Sequence, residues 1–221
     1  MNPLRVILRK SRSACRRIYE EYQKYKRRRP LKNRDFSIIS NNCWSGLISK
    51  YYGLPYNSPT CGILILGDDY IKFCKNLKFY LSLKLQFIKF ENSIFSNYPK
   101  PFPVAKLNDI QIGFMHYKTE KDAEEKWYRR AKRINWDNLI VKISHRKDFN
   151  EEQIKIFSEL DFSNKLIFAE KDFGTTSIII PGISCMDGNE TPLTLEKFNL
   201  TDYLNSIKND KRKNSIGSQK G

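Results

Sequence analysis

The chain has five cysteines, an odd number with no CxxC pair, and two histidines, His116 and His145, in no metal-ligand spacing. That scarcity argues against a zinc site and against a disulfide framework; no metal and no bound cofactor are expected, and reduced thiols suit a cytosolic setting. No run of eighteen apolar residues occurs, so no segment reads as a membrane-spanning helix. The N-terminal stretch lacks the apolar core and cleavage site of a signal peptide, and the expected location is the cytoplasm, with peripheral attachment at the inner membrane face as the one membrane role left open. There is no internal repeat, which excludes a solenoid.

What the sequence does hold is enough for one globular core: 221 residues with 40% hydrophobic and 13% aromatic content. The formal charge of +16 is unevenly spread, because residues 1–34 carry thirteen Lys/Arg against two Glu. In that segment Leu4, Ile7, Leu8, Ser11, Cys15, Ile18, Tyr22 and Tyr25 recur at helical intervals until Arg27, Arg28, Arg29 and Pro30 end the pattern. A basic amphipathic helix is expected over 1–34. It has three candidate partners: the protein's own core, an anionic membrane surface and nucleic acid, the last being disfavoured because no recognition motif accompanies the charge.

Past Arg34, strand and helix signals alternate. "FSII" reads as a strand, "CWSGLISKYYG" as a helix closed by Gly53, "GILIL" (62–66) as a buried strand, and "DYIKFCKNLKFYLS" as a helix capped by Asp68. After a Pro-rich loop, "NYPKPFPVAK", the segment "DIQIGFMH" alternates as a strand should. A helix follows with Thr119 and Asp122 in a box-like cap. "NLIVKIS", "NEEQIKIFSEL", "KLIFAEK", "TSIII" and "TLEKFNLTDYLNSI" supply strand, helix, strand, strand and helix. The pattern predicts a single-domain α/β sandwich over 35–208 with a mostly parallel, Rossmann-like sheet, the late strand pair alone being open to an antiparallel run, and a disordered tail over 209–221.

In such sheets ligands collect beyond the carboxyl ends of the strands. Cys43 falls at the first such end, preceded by Asn41 and Asn42, and a helix N-terminus there would favour the thiolate. The two asparagines are expected either to cap the helix or to donate to an oxyanion. A general base is needed, and counting by twos sets Ile110, Ile112, Phe114 and His116 on one face, so His116 would end an apolar row on the same rim as Cys43 if both strands run parallel. His145, followed by Arg146, Lys147 and Asp148, reads as an exposed loop histidine. In the helix after His116, Lys126, Arg130 and Arg133 form a basic stripe beside the apolar stripe Ala123, Trp127, Ala131 and Ile134, suited to phosphate or carboxylate groups of a donor such as coenzyme A or a nucleotide-sugar.

The blocks "FSIISNNCWSG", "YYGLPYNSPT", "DDYIKFCKNLKFYL", "FPVAKLNDIQIGFMHYKTEKDAEEKWYRRAKRINWDNLIV" and "FSNKLIFAEKDF" together resemble a bacterial family of exopolysaccharide or capsule biosynthesis proteins catalogued as domain of unknown function 1919. The likeness spans roughly residues 36–208 and implies a role in making or decorating surface polysaccharide. Asn42 and Cys43 also resemble the Gly-Asn-Cys-Gln turn of another capsule family thought to be acyltransferases, with Asn41 in place of the glycine and Trp44 in place of the glutamine. Taken with the residue pattern above, these likenesses lead to the expectation of an acyltransferase acting on a sugar hydroxyl: Cys43 and His116 catalytic, Asn41 and Asn42 at the oxyanion, Lys126, Arg130 and Arg133 holding the donor, acyl-coenzyme A as donor substrate and a sugar or lipid-linked sugar as acceptor. Two alternatives stand beside it: a glycosyltransferase with a divalent metal at Asp68 and Asp69, and a non-catalytic membrane-side adaptor held by residues 1–34.

Overall fold

A computed structural model describes residues 3–173, 177–186 and 188–207, with side chains described from residue 13 onward. The tail expected at 209–221 and the side chains of Leu4, Ile7, Leu8 and Ser11 lie outside that description. Helix α1 (Pro3–Arg28) leads into β1 (Ser37–Ser40). Every residue of β1 and of β5 (Leu139–Ser144) is buried, as expected of strands covered on both faces. They pair in parallel with Ile39 opposite Val141; β6 (Asn164–Ala169) and β7 (Ile178–Ile179) continue the sheet in the order β1-β5-β6-β7, all parallel.

Successive residues of a strand point to opposite faces, and the core divides accordingly. Ile39, Val141, Ile143 and Ile167 pack against Tyr70, Phe73, Trp127 and Phe157 on one face. Ile38, Ile140, Leu166 and Phe168 pack against Trp44, Ile48, Leu200 and Leu204 on the other. The first layer is completed by α3 (Gly67–Lys75), α5 (Glu120–Ala131) and α6 (Glu151–Glu159), the second by α2 (Trp44–Tyr52) and α8 (Leu200–Ser206). Local chemistry fixes these ends: Gly53 closes α2 at φ 64°, Thr119 Oγ1 accepts from the Asp122 amide at 3.1 Å, and Asn150 with Gln153 forms a reciprocal capping box on α6. The α/β sandwich with a parallel sheet is as the sequence predicts.

Several local expectations are corrected. Ile63, Leu64 and Ile65 of "GILIL" are buried, but the segment forms no strand, because it makes a single bridge, Leu64 to Gly113. Asp68 is not a cap: Leu66 holds that position, Asp68 Oδ1 accepts from Gln153 Nε2 at 2.6 Å, and the helix breaks at Asn76 before α4 (Leu77–Ser82). The Pro-rich loop contains a strand, β3 (Val104–Leu107), between β2 (Gln86–Ile88) and β4 (Ile110–Gly113) in a separate antiparallel sheet. The last helical stretch is two helices, α7 (Thr191–Lys197) and α8, divided at Phe198 and Asn199. Asn199 accepts from the Asp202 amide as a new cap, a local bond that periodicity does not report.

Candidate functional site

Cys43 stands where the sequence puts it, between the end of β1 and the start of α2, and the turn around it is closely bonded. Ser40 Oγ donates to the Asn42 carbonyl at 2.7 Å and accepts from the Ser45 amide at 3.1 Å; Asn42 Oδ1 accepts from the Trp44 amide at 3.1 Å. Asn42 Nδ2 donates to Glu190 Oε1 at 3.0 Å. Both Asn42 amide atoms are therefore engaged in building the turn and do not face the cavity described below. Asn41 is sealed completely, with its carbonyl taken by the Ile65 amide at 2.8 Å.

The expectation of a thiolate at Cys43 is corrected. Burial pushes the thiol up, the nearby Glu190 carboxylate adds to this, and Lys142 and Arg146 only partly oppose it. Desolvation penalises the charged form more than a single helix N-terminus favours it.

His116 reaches the same cavity as Cys43, though not through a shared parallel rim. Its strand ends at Gly113 and belongs to the antiparallel sheet; His116 lies three residues on, in an exposed turn, where its amide donates to the Gly62 carbonyl at 3.2 Å. The link is the 62–65 segment: Leu64 exchanges both backbone bonds with Gly113 at 2.8 and 2.9 Å, and Ile65 bonds to Asn41. Gly62, at φ 81°, leaves room for the histidine, since a side chain there would approach His116 Cβ at 3.3 Å.

Cys43, Lys50, Tyr56, His116, Lys126 and Arg130 line a cavity of about 340 Å³ that has no carboxylate in its lining. Arg130 is buried, not part of a solvated stripe: its Nη1 donates to the Cys61 carbonyl at 3.0 Å and to Tyr117 Oη at 2.5 Å, and its guanidinium lies 4.9 Å from the Tyr56 ring centroid. Tyr117 Oη donates to the Cys61 carbonyl at 2.6 Å, and burial, with Arg130 opposing it, pushes this phenol up to about 12. Lys126 is half-buried and pairs with Asp122 at 2.8 Å. Arg133 is exposed and lies outside the cavity lining. A pocket with three cations, one imidazole and no lining acid suits an anionic ligand.

Beside it, at the carboxyl ends of β1 and β5, lies a charged cluster that sequence reading missed. Lys142, wholly buried, donates to Glu190 Oε1; Arg146 Nη1 stands 3.6 Å from Glu190 Oε2. Among the described residues, both Asn41 amide atoms, Ser144 Oγ, His145 Nδ1, Arg146 Nε and Glu190 Oε2 make no hydrogen bond, the last two having only the longer ion-pair approaches of Arg146 Nε to Asp148 at 3.9 Å and of Arg146 Nη1 to Glu190. Such orphaned buried atoms are uncommon in folded proteins, and here they gather at the sheet end where α/β folds take ligands. His145 is thus not an exposed loop histidine: it is half-buried, edge-on to Phe173 at 4.8 Å. The available signal was Lys142 itself, a charge inside the otherwise apolar run "LIVKIS".

Asp68 and Asp69 are held by Gln153 Nε2 and the Gln111 amide, and among the described residues no group of three or more His, Cys, Asp or Glu is arranged to hold a metal ion. Among the same residues no helix is long and apolar enough to cross a membrane.

A protein of Haemophilus influenzae (strain Rd), described as an uncharacterized protein, is 36% identical over 145 residues, which is 66% of this chain and 66% of the relative. The aligned part thus spans a little under two thirds of that relative's length. Residues 14–209 match the family model described as "Domain of unknown function (DUF1919)", a match that begins within α1 and takes in the whole sandwich, and the chain belongs to this DUF1919 family.

Proposed function

We propose that the protein is a transferase of surface-polysaccharide assembly that moves an acyl group from an anionic thioester donor, acyl-coenzyme A, to a sugar hydroxyl. The observation that carries this reading is the cavity in which His116 faces three cations and no carboxylate. The polysaccharide setting rests on the sequence blocks that resemble capsule and exopolysaccharide proteins.

His116 is the general base. It takes the proton of the sugar hydroxyl as the oxygen attacks the thioester carbonyl; the C–O bond forms, the C–S bond breaks, and the proton passes on to the leaving thiolate. Lys50, Lys126 and Arg130 hold donor phosphates, with Arg130 already fixed by the Cys61 carbonyl and Tyr117. Cys43 acts as a neutral wall of the donor pocket and not as nucleophile, since burial raises its pKa.

Turnover with acyl-coenzyme A and a sugar acceptor tests this against the covalent route. His116→Ala should abolish transfer while Cys43→Ala keeps most of it. An acyl adduct mapped to Cys43 by intact and peptide mass would overturn the direct route. Thermal stabilisation by a nucleotide-sugar and not by acyl-coenzyme A would favour the glycosyltransferase alternative instead.

A further inference from the structure

Helix α1 docks with the wrong side inward for a helix that belongs to a core. At about 100° per residue, Ile18, Tyr22 and Tyr25 share one face, and Cys15 lies on the same stripe. Those three side chains are 71, 55 and 55% exposed. The polar side faces the protein. Arg28 Nη1 donates to the Gly53 carbonyl at 2.7 Å, Lys24 packs its methylenes against Gly53, and the Arg27 guanidinium lies 4.3 Å from the Tyr51 ring centroid. The described part of the apolar stripe is therefore turned to solvent, on the most basic segment of the chain.

We infer that this outward stripe docks on an anionic lipid bilayer. Apolar and tyrosine side chains flanked by Arg and Lys match the chemistry of the headgroup boundary, where rings enter the acyl edge while cations meet lipid phosphates. Charge decides between this and pairing with a second copy: residues 1–34 carry thirteen Lys/Arg against two Glu, so two such stripes brought together repel, whereas an anionic surface attracts each of them. A second cavity, of about 480 Å³, lies on the inward side of α1, between α1, α2 and α7; it shares Leu47 and Lys50 with the His116 cavity. The docking itself does not depend on which reaction the site performs.

The test is co-sedimentation of the full chain with vesicles of phosphatidylcholine, alone and mixed with phosphatidylglycerol, alongside the triple variant Ile18→Ser/Tyr22→Ser/Tyr25→Ser. The wild type should bind the anionic vesicles and not the neutral ones, and the variant should bind them about tenfold or more weakly at an unchanged melting midpoint, because the three side chains are exposed. Equal binding by the variant, or no binding by the wild type, would overturn the proposal. So would a dimer in sedimentation velocity that the triple substitution dissolves, or preference of the wild type for a DNA duplex over the vesicles.

Discussion

Lys142 and Glu190 form an ion pair closed off from solvent at the carboxyl end of the central sheet, and the Glu190 oxygen that takes the lysine also takes the side-chain amide of Asn42. One carboxylate thus ties β5 to the turn that carries Cys43 and to the start of α7. Removing one partner of a buried pair leaves a charge without compensation, so Glu190→Ala should cost about 3–5 kcal/mol, and a volume-matched apolar pair, Lys142→Met with Glu190→Leu, should recover much of the loss. Urea unfolding midpoints of the wild type and the two variants measure both effects.

The same pair predicts an acid dependence. Burial works against the ionised Glu190, but Lys142, the Asn42 amide and Arg146 outweigh it and hold the carboxyl below its ordinary value of 4.5. A depressed folded-state pKa contributes stability that is complete above the unfolded value and disappears as pH falls through the folded one. The melting midpoint should therefore drop as pH is lowered past 4.5, and the drop should be shallower in Glu190→Gln. An equally steep fall in that variant would show that other carboxylates govern acid unfolding.

Asn41 and Asn42 are neighbours with opposite roles, and substitution should separate them. Asn42→Ala loses the bonds to the Trp44 amide and Glu190 and should cost about 2 kcal/mol, whereas Asn41→Ala removes two atoms with no hydrogen-bond partner among the described residues and should cost under about 1 kcal/mol.

Gly62→Ala probes how His116 is held. The positive φ of 81° strains any L side chain, and the new methyl would stand 3.3 Å from both His116 Cβ and Tyr117 Cε2. A loss of about 1–2 kcal/mol is expected, together with a fall in turnover greater than that produced by an equally destabilising substitution in α6, such as Ile154→Val.

Timed alkylation with iodoacetamide checks the state of Cys43. Cys15 and Cys185 are exposed and should react first at neutral pH, while Cys43, half-buried with its thiol pushed up, should lag and accelerate only as the solution is made alkaline. Fast, selective labelling of Cys43 at neutral pH would restore the covalent route.

Strand and helix order was legible in the sequence because apolar spacing directly records burial on one or both faces. Cys43 at the end of β1, the Thr119 cap, and α2 closed by Gly53 all follow from residue type and spacing over a few positions. The sequence was less informative wherever a segment's partner lies far along the chain. "GILIL" is as apolar as a strand, but it spends its hydrogen bonds on Gly113 and Asn41 and so never becomes one. "VAKL" is hidden among prolines, and its ladder comes from β2 and β4.

The sequence alone determined the fold class, the basic charge of the first segment and the position of a thiol at a strand-to-helix turn, since each depends on local pattern or composition. Only the tertiary structure decided that His116 joins Cys43 through an antiparallel sheet, that Arg130 is buried while Arg133 is not, that Glu190 meets Lys142, and that α1 turns Ile18, Tyr22 and Tyr25 outward. Those outcomes depend on long-range backbone bonds and on desolvation, which are properties of the assembled core and leave no periodic trace in the chain.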